Sequence, residues 1–177
     1  PSTQIHQFVI LGWILVSLFA TRVQDEIALR FAEGQIVNDL LLPIDFQLFW
    51  YARDLGRAIG IFFLLTLPLF LFSSLFFHLP LPQHLWVWPI FFFSLFLGHL
   101  ISFEISFLIG IAAYSFRSIH GLTHIKATLS SLFSGALIPL ELFQASWRPL
   151  IYALPFRAMT HTPVRLFLEV GSPSLIF

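Results

Sequence analysis

Residues 57–77 read RAIGIFFLLTLPLFLFSSLFF, and no charged side chain follows Arg57 in this run. A helix rises about 1.5 Å per residue, so about 20 apolar residues cross a bilayer core of about 30 Å. Pro68 lies near the middle, where membrane helices tolerate proline because neighbouring groups satisfy the backbone that it frees. The run therefore predicts a membrane-spanning helix and an all-α transmembrane fold.

The composition of the whole chain points the same way. Of its 177 residues, 58% are hydrophobic and only 10% are charged, whereas about a quarter are charged in a soluble domain. The net charge is zero, so no basic face indicates a nucleic-acid partner. There is no cysteine, which excludes disulfides and thiolate metal sites. We expect a single transmembrane domain over residues 1–177, surrounded by the lipid bilayer.

Three further stretches are candidates for the membrane. Residues 5–20 are apolar but slightly short for a span, and residues 86–116 form a very long apolar run. Residues 121–142 are less apolar and carry Lys126 near their start. Together with 57–77, these stretches predict a polytopic protein with about four membrane-embedded segments.

The run 86–116 contains small and polar residues with a regular spacing. Gly98, Ser102, Ser106 and Gly110 recur every fourth position, and this spacing predicts a face that packs closely against another helix.

His99 and Glu104 are the intramembrane polar candidates of the same run. An intramembrane carboxylate is costly and usually faces a partner or a water path. Glu104 would either contact a cationic substrate, pair with His99, or remain protonated and hydrogen-bond to a neighbouring helix. The five-residue spacing of His99 and Glu104 does not favour a shared helix face.

Residues 21–56 change character, because charges alternate with apolar positions. One helical stripe is mostly apolar, which predicts an amphipathic segment at the membrane surface or docked on a soluble partner. We expect Gly34 to interrupt the helix, Pro43 to end it and Asp45 to cap the next helix. The stripe consists of Ile27, Phe31, Ile36, Val37, Leu40 and Leu41.

The distribution of basic residues predicts the orientation. Six lysines and arginines lie in or beside 21–56 and 117–126, whereas the turn 78–85 has none. The positive-inside rule then places 21–56 and 117–126 in the cytoplasm and 78–85 outside. We expect a multi-pass protein of the plasma (inner) membrane. Arg53, Asp54 and Arg57 stand at the cytoplasmic mouth of the 57–77 span. They would lock that helix to its neighbours as a gate, or simply anchor it by positive-inside charge and a local ion pair.

The late stretch 134–163 interrupts itself twice, with SGALIPLELF at 134–143 and ALPFR at 153–157. Pro139 and Pro155 each break a helix. The residues alone favour an ordinary kinked helix, since a kink is the commoner effect of a membrane proline.

The order of these pieces resembles the ABC-2 type permeases, the membrane subunits of one class of bacterial ABC exporter. The likeness covers roughly residues 10–168, and the tail from Glu169 does not resemble the family. The chain looks like an internal fragment lacking the first and last spans, and Leu42 and Gln144 depart from the family's usual arginine and proline. The residues that carry the likeness are Gly34 with Ile36, Leu41-Leu42-Pro43, Ala52-Arg53-Asp54-Leu55-Gly56, Ser134-Gly135, Ile138-Pro139-Leu140, Leu154-Pro155-Phe156, and Pro163 with Arg165.

The resemblance implies a function as a permease without catalytic residues, metal or cofactor of its own. A separate ATP-binding subunit would bind ATP, and a second permease chain, identical or related, would complete the path. The amphipathic segment would couple to the ATP-binding subunit, and 134–163 would form a re-entrant hairpin at the outer mouth. The implied hairpin residues are Gly135, Pro139 and Pro155, and the implied coupling residues are Glu26, Arg30, Glu33, Gly34, Leu42 and Pro43.

Two other functions remain open from the residues. A membrane-embedded enzyme would bring His99 and Glu104 together with His120 and His124, which are four apart on one helix face. A non-transporting assembly protein would tolerate substitutions at Gly135, Pro139 and Pro155.

Overall fold

The computed structural model describes residues 2–77, 82, 84–116, 118–135, 144 and 148–169, and within these ranges all regular structure is helical. The all-α fold class is confirmed. The helices are α1 (Ser2–Val16), α2 (Val23–Ala32), α3 (Ile36–Leu40), α4 (Phe46–Ile61), α5 (Leu67–Phe77), α6 (Val87–Ala112), α7 (His120–Phe133), α8 (Arg148–Ala153) and α9 (His161–Glu169).

Three helical stretches in the described ranges are long and apolar enough to cross a membrane. They are His6–Ala32, Phe46–Phe77 and Val87–Ala112. The fourth expected segment, 121–142, begins as α7, which ends at Phe133. Most of its remainder lies outside the described residues.

The stretch Phe46–Phe77 begins well before the apolar run that starts at Arg57. Asp45 has extended backbone, and its side chain accepts a hydrogen bond from the amide of Leu48 at 2.8 Å, so the predicted N-cap is present. The helix continues through a π-helical turn, Phe62–Thr66, into α5. One continuous rod therefore joins the amphipathic segment to the apolar span.

Helix α6 is the centre of the bundle, and its small residues allow neighbours to approach. A Cβ built on Gly98 would lie 2.8 Å from the carbonyl oxygen of Ala158. A Cβ on Gly110 would lie 3.0 Å from the Cβ of Ile27 on α2. Between them, the Ser102 hydroxyl donates to the carbonyl of Phe19 at 2.8 Å. The small-residue face is a packing surface, as its spacing predicted.

Two apolar clusters fill the bundle on either side of this face. The larger joins α1, α6 and α9, with Leu11, Phe91 and Phe167 almost fully buried. The smaller joins α2, α4 and α6 around Trp50, which is fully buried between Phe46 and Phe49. The second cluster fixes the position of α4, where the candidate gate residues lie.

Candidate functional site

Asp54 is a carboxylate on the buried face of α4. That face consists of Trp50, Asp54 and Ala58, each four residues after the last and each less than a tenth exposed. An ionised carboxylate in such a position is stable only when it is paired and hydrogen-bonded. Asp54 must therefore find partners inside the bundle.

Arg57 provides the charge and the hydrogen bonds, and His99 lies beside the second carboxylate oxygen. The Arg57 guanidinium donates to Asp54 Oδ1 through Nη2 at 2.9 Å and Nε at 3.2 Å. His99 Nε2, from α6, lies 3.6 Å from Asp54 Oδ2. His99 is 5% exposed, whereas Arg57 keeps partial contact with solvent. We call Asp54, Arg57 and His99 the polar junction, since they join α4 to α6.

Aromatic rings enclose the junction. The Tyr51 ring lies 6.1 Å from the His99 ring and 5.0 Å from the Phe103 ring, centroid to centroid. The Arg53 guanidinium lies over the Trp50 ring at 5.1 Å. The contacts of Tyr51 pack α4 against α6. Arg53 lies over a ring of its own helix and extends toward α2.

Helix α7 contributes a cation near the same helix. The ammonium group of Lys126 donates to the hydroxyl of Ser106 on α6. Ser106 is fully buried and in turn donates to the carbonyl of Ser102. The small-residue face of α6 therefore receives a lysine from α7 as well as apolar residues from α2.

Two of the expected coupling residues, Glu26 and Arg30, form ion pairs with other helices of the chain. Glu26 Oε2 on α2 lies 3.0 Å from Arg53 Nη2 on α4. Arg30 Nη1 on α2 lies 3.3 Å from Asp39 Oδ1 on α3, and Asp39 is 7% exposed. These two pairs join α2 to the helices that follow it.

We call residues 33–45 the elbow, since α2 turns there into α3 and then α4. Gly34 has φ +70°, which only glycine adopts without strain, and the interruption predicted at this residue is present. Helix α3 ends at Leu40, three residues before Pro43. Asp39, rather than an apolar residue, turns inward from α3.

The elbow exposes apolar side chains, whereas the part of the apolar stripe that lies on α2 is buried or half-buried. Ile27 is fully buried and Phe31 half-buried, but Leu41 is 76% exposed. Gly34 causes the difference, because its left-handed backbone turns α3 out of line with α2. The exposed apolar side chains of the elbow are Val37, Leu40, Leu41, Leu42 and Ile44.

Of the alternatives considered for Glu104, the structure has a hydrogen bond to a neighbouring helix and no pairing with His99. Gln47, in the first turn of α4, approaches both carboxylate oxygens of Glu104 with Nε2, at 2.8 Å each. His99 lies with Asp54 instead. The two polar residues of α6 therefore contact α4 separately, at positions about two helical turns apart on α4.

The late stretch contains a break against the middle of α6. Gly135 has φ +79° and packs on His161, whose amide donates to the carbonyl of Ser134 at 2.9 Å. Helix α8 ends at Ala153, and Pro155 opens a short 3-10 turn, Pro155–Ala158. Met159, Thr160 and His161 follow and are nearly fully buried. Pro139 lies outside the described residues.

No group of three histidine or acidic side chains converges in the described part of the chain. His120 and His124 are both exposed on α7.

Several contact residues escaped the sequence analysis. Gln47, Asp39 and Lys126 each join two helices. For Lys126 a signal existed, since it is a single cation in a helix with many small residues. For Asp39 and Gln47 there was none, because each stands in a mostly apolar stretch and nothing nearby shows which distant residue it meets.

A family model described as "ABC-2 family transporter protein" matches residues 3–177. The match includes the tail after Glu169, so the expectation that this tail is unlike the family was wrong. No curated protein and no solved structure matches the chain.

Proposed function

Because the chain belongs to the ABC-2 family of transporter proteins, we propose that it is the permease subunit of an ATP-driven exporter. A separate ATP-binding subunit would supply the energy, and a second permease chain, identical or related, would complete the substrate path. The membrane is the site of this function, as the family and three apolar helices require. We place the protein in the plasma (inner) membrane with the elbow in the cytoplasm.

One observation carries the proposal: ion pairs join the elbow to α2 and α2 to α4, next to the contact between Asp54 and His99 of α6. Asp39 of the elbow pairs with Arg30 on α2, one turn beyond Glu26. Glu26 pairs with Arg53 on α4, which precedes Asp54 of the polar junction. A displacement of the elbow is therefore transmitted to α4 and α6 through charged contacts rather than through a flexible loop.

The elbow is the surface proposed for the ATP-binding subunit. It combines the exposed Leu40, Leu41 and Leu42 with the charged Glu33 and the turn at Pro43. An apolar centre with a polar rim is usual for a protein interface. The coupling residues of the sequence analysis thus divide: Leu42, Pro43 and Glu33 face outward, whereas Glu26 and Arg30 transmit motion within the chain.

The polar junction acts as the cytoplasmic gate in this proposal. Asp54 and Arg57 hold α4 against His99 of α6, and Arg53 links the same helix to α2. Opening of the gate would break the Asp54–His99 contact and move α4 away from α6 at this level. The junction is therefore the closed state of the path between them.

The break at Pro155 supports a re-entrant hairpin. Non-helical backbone at membrane depth requires surrounding protein or a water-filled cavity. Here residues 159–161 are buried against the neighbouring helices, and Ala158 approaches Gly98 in the middle of α6. We propose that Gly135, Pro139 and Pro155 shape this hairpin near the outer mouth.

The membrane-enzyme hypothesis required His99, Glu104, His120 and His124 to meet at one site. His99 contacts Asp54, Glu104 contacts Gln47, and His120 and His124 are exposed on α7. These positions do not favour an enzyme.

The test is a tagged pull-down of the full-length protein in mild detergent, with partners identified by mass spectrometry. We expect an ATPase with a phosphate-binding loop to be recovered with the unmodified chain. Leu41→Glu places a charge on the elbow and should abolish recovery. Leu85→Glu makes the same change at a residue that is also exposed, 86% against 76%, and should not.

Gly34→Ala provides a second comparison. It adds a Cβ with no neighbour within 4 Å but at a positive φ, whereas Gly121→Ala meets no neighbour and has ordinary backbone. Only Gly34→Ala should reduce recovery, because it reshapes the elbow. If no ATPase is captured where a known exporter keeps its own, the proposed function is wrong.

A further inference from the structure

The rod Phe46–Phe77 changes its helical geometry at one place. The turn Phe62–Thr66 is π-helical, and the amide of Leu67 bonds to the carbonyl of Phe62, five residues back. Single π turns inside α-helices are uncommon and often occur at functional sites. This turn is unlike the rest of the rod and calls for a physical reason.

Pro68 provides that reason. In a regular helix the amide of residue 68 would bond to the carbonyl of Leu64, but proline has no amide hydrogen and its ring crowds that carbonyl. The wider π turn ends just before Pro68 and moves the backbone bonds away from it. Kinks in helices usually occur at such positions.

The contacts on the two sides of the turn differ in kind. On the N-terminal side of the turn, α4 is joined to α2 by the ion pair of Arg53. It is joined to α6 by the contact of Asp54 and by the hydrogen bonds of Gln47. On the C-terminal side of the turn, α5 contains no charged residue and presents mostly exposed apolar side chains. The N-terminal arm, α4, is therefore held to its neighbours by directional bonds, whereas the contacts described for the C-terminal arm, α5, are mainly apolar and permit sliding.

A hydrogen bond fastens the turn itself to another helix. Thr66 is 3% exposed, and its Oγ1 lies 3.2 Å from the Oγ of Ser17, at the end of α1. The Ser17 hydroxyl donates to the carbonyl of Ile14 at 2.9 Å. A hydroxyl has one hydrogen, so Thr66 is the donor to Ser17.

We propose that the π turn Phe62–Thr66 is a hinge, on which α4 swings relative to α5, and that the Thr66–Ser17 hydrogen bond fixes its resting angle. Only the use of the hinge in transport rests on the proposed function; the bending itself does not. Thr66 is then a positioning residue, since it sets the angle of the arm that carries Asp54.

The test measures the distance between two spin labels by double electron–electron resonance in the full-length protein. The chain contains no cysteine, so Ala52→Cys on α4 and Leu75→Cys on α5 label exposed sites on the two arms. At about 1.5 Å of rise per residue these sites are about 34 Å apart. We expect more than one distance population without any partner present.

Pro68→Ala restores the missing amide and should reduce the distribution to one narrow population. Gly56→Ala is the matched control, because it stiffens the same helix on the N-terminal side of the turn at a position with no neighbour within 4 Å. It should leave the distance distribution unchanged. A single narrow population in the unmodified chain, or an equal effect of both variants, overturns the hinge.

Thr66→Val removes the donor without changing the shape of the side chain and should shift the populations, whereas Thr66→Ser keeps the hydroxyl and should not. Equal distributions for these two variants would overturn the role of Thr66. Addition of the ATP-binding partner with nucleotide separates the two proposals. Bending without response to the partner contradicts the proposed function and leaves the hinge standing, while a rigid rod with a responsive ATPase contradicts the hinge alone.

Discussion

His99 on α6 lies 3.6 Å from Asp54 on α4, Nε2 to Oδ2, in a helix pair that is otherwise mostly apolar. The other oxygen of Asp54 accepts both donors of Arg57. The carboxylate thus contacts residues of two helices, one through each of its oxygens. Oδ1 balances charge within α4, and Oδ2 faces the partner helix.

The first prediction concerns the charge of Asp54. Asp54→Asn keeps the shape but leaves Arg57 without a counter-ion, so we expect a loss of about 2 kcal/mol in the free energy of unfolding, below the usual cost because Arg57 stays partly solvated. Thermal unfolding in detergent measures this. Asp25→Asn changes an exposed carboxylate and should have little effect on the free energy of unfolding. Equal losses of stability in both variants would show that the buried charge of Asp54 contributes no more than that of an exposed carboxylate.

The second prediction concerns the start of α4. Asp45 accepts from the Leu48 amide at 2.8 Å, and loss of an N-cap costs about 1 kcal/mol. Asp45→Ala should therefore speed hydrogen exchange at the first amides of α4, measured by mass spectrometry. Asp45→Asn retains a capping oxygen and should exchange as the unmodified chain does. If both variants exchange alike, the cap does not stabilise this helix.

Local rules predicted the features that depend on a few neighbouring residues. The cap at Asp45 and the break at Gly34 follow from backbone preferences that act within one turn. The packing face of α6 followed from spacing alone, because a helix repeats its face every three to four residues. Such features need no knowledge of the partner helix.

Features that depend on distant residues were not predicted. The interruption at Gly34 was expected, but the direction in which α3 turns away from α2, and with it the exposure of Leu41, was not. Asp54 was predicted at a gate, but its contact with His99 joins positions far apart in the chain. Glu104 likewise meets Gln47. A sequence without its fold does not show which polar residues meet.

The third prediction concerns the closest helix contact. A Cβ on Gly98 would lie 2.8 Å from the Ala158 carbonyl oxygen and 3.1 Å from the Met159 Cα, and neither backbone atom can move easily. Gly98→Ala should cost about 1–3 kcal/mol by overpacking, seen as a lower midpoint of thermal unfolding. Gly60→Ala, with no neighbour within 4 Å, should keep or raise the midpoint. A harmless Gly98→Ala would contradict the packing of residues 155–161 on α6.

The last prediction separates transmission from stability at Glu26 and Arg53. Their side chains are 38% and 49% exposed, and such pairs contribute less than about 1 kcal/mol to stability. Glu26→Arg alone and Arg53→Glu alone should therefore unfold near the unmodified temperature but lose stimulation of the partner's ATPase by the permease, because two like charges repel and uncouple α2 from α4. The double exchange restores an opposite-charge pair and should recover the stimulation. If the single variants stimulate normally, or if the double variant stays inactive while folded and bound to its partner, motion does not pass through this pair.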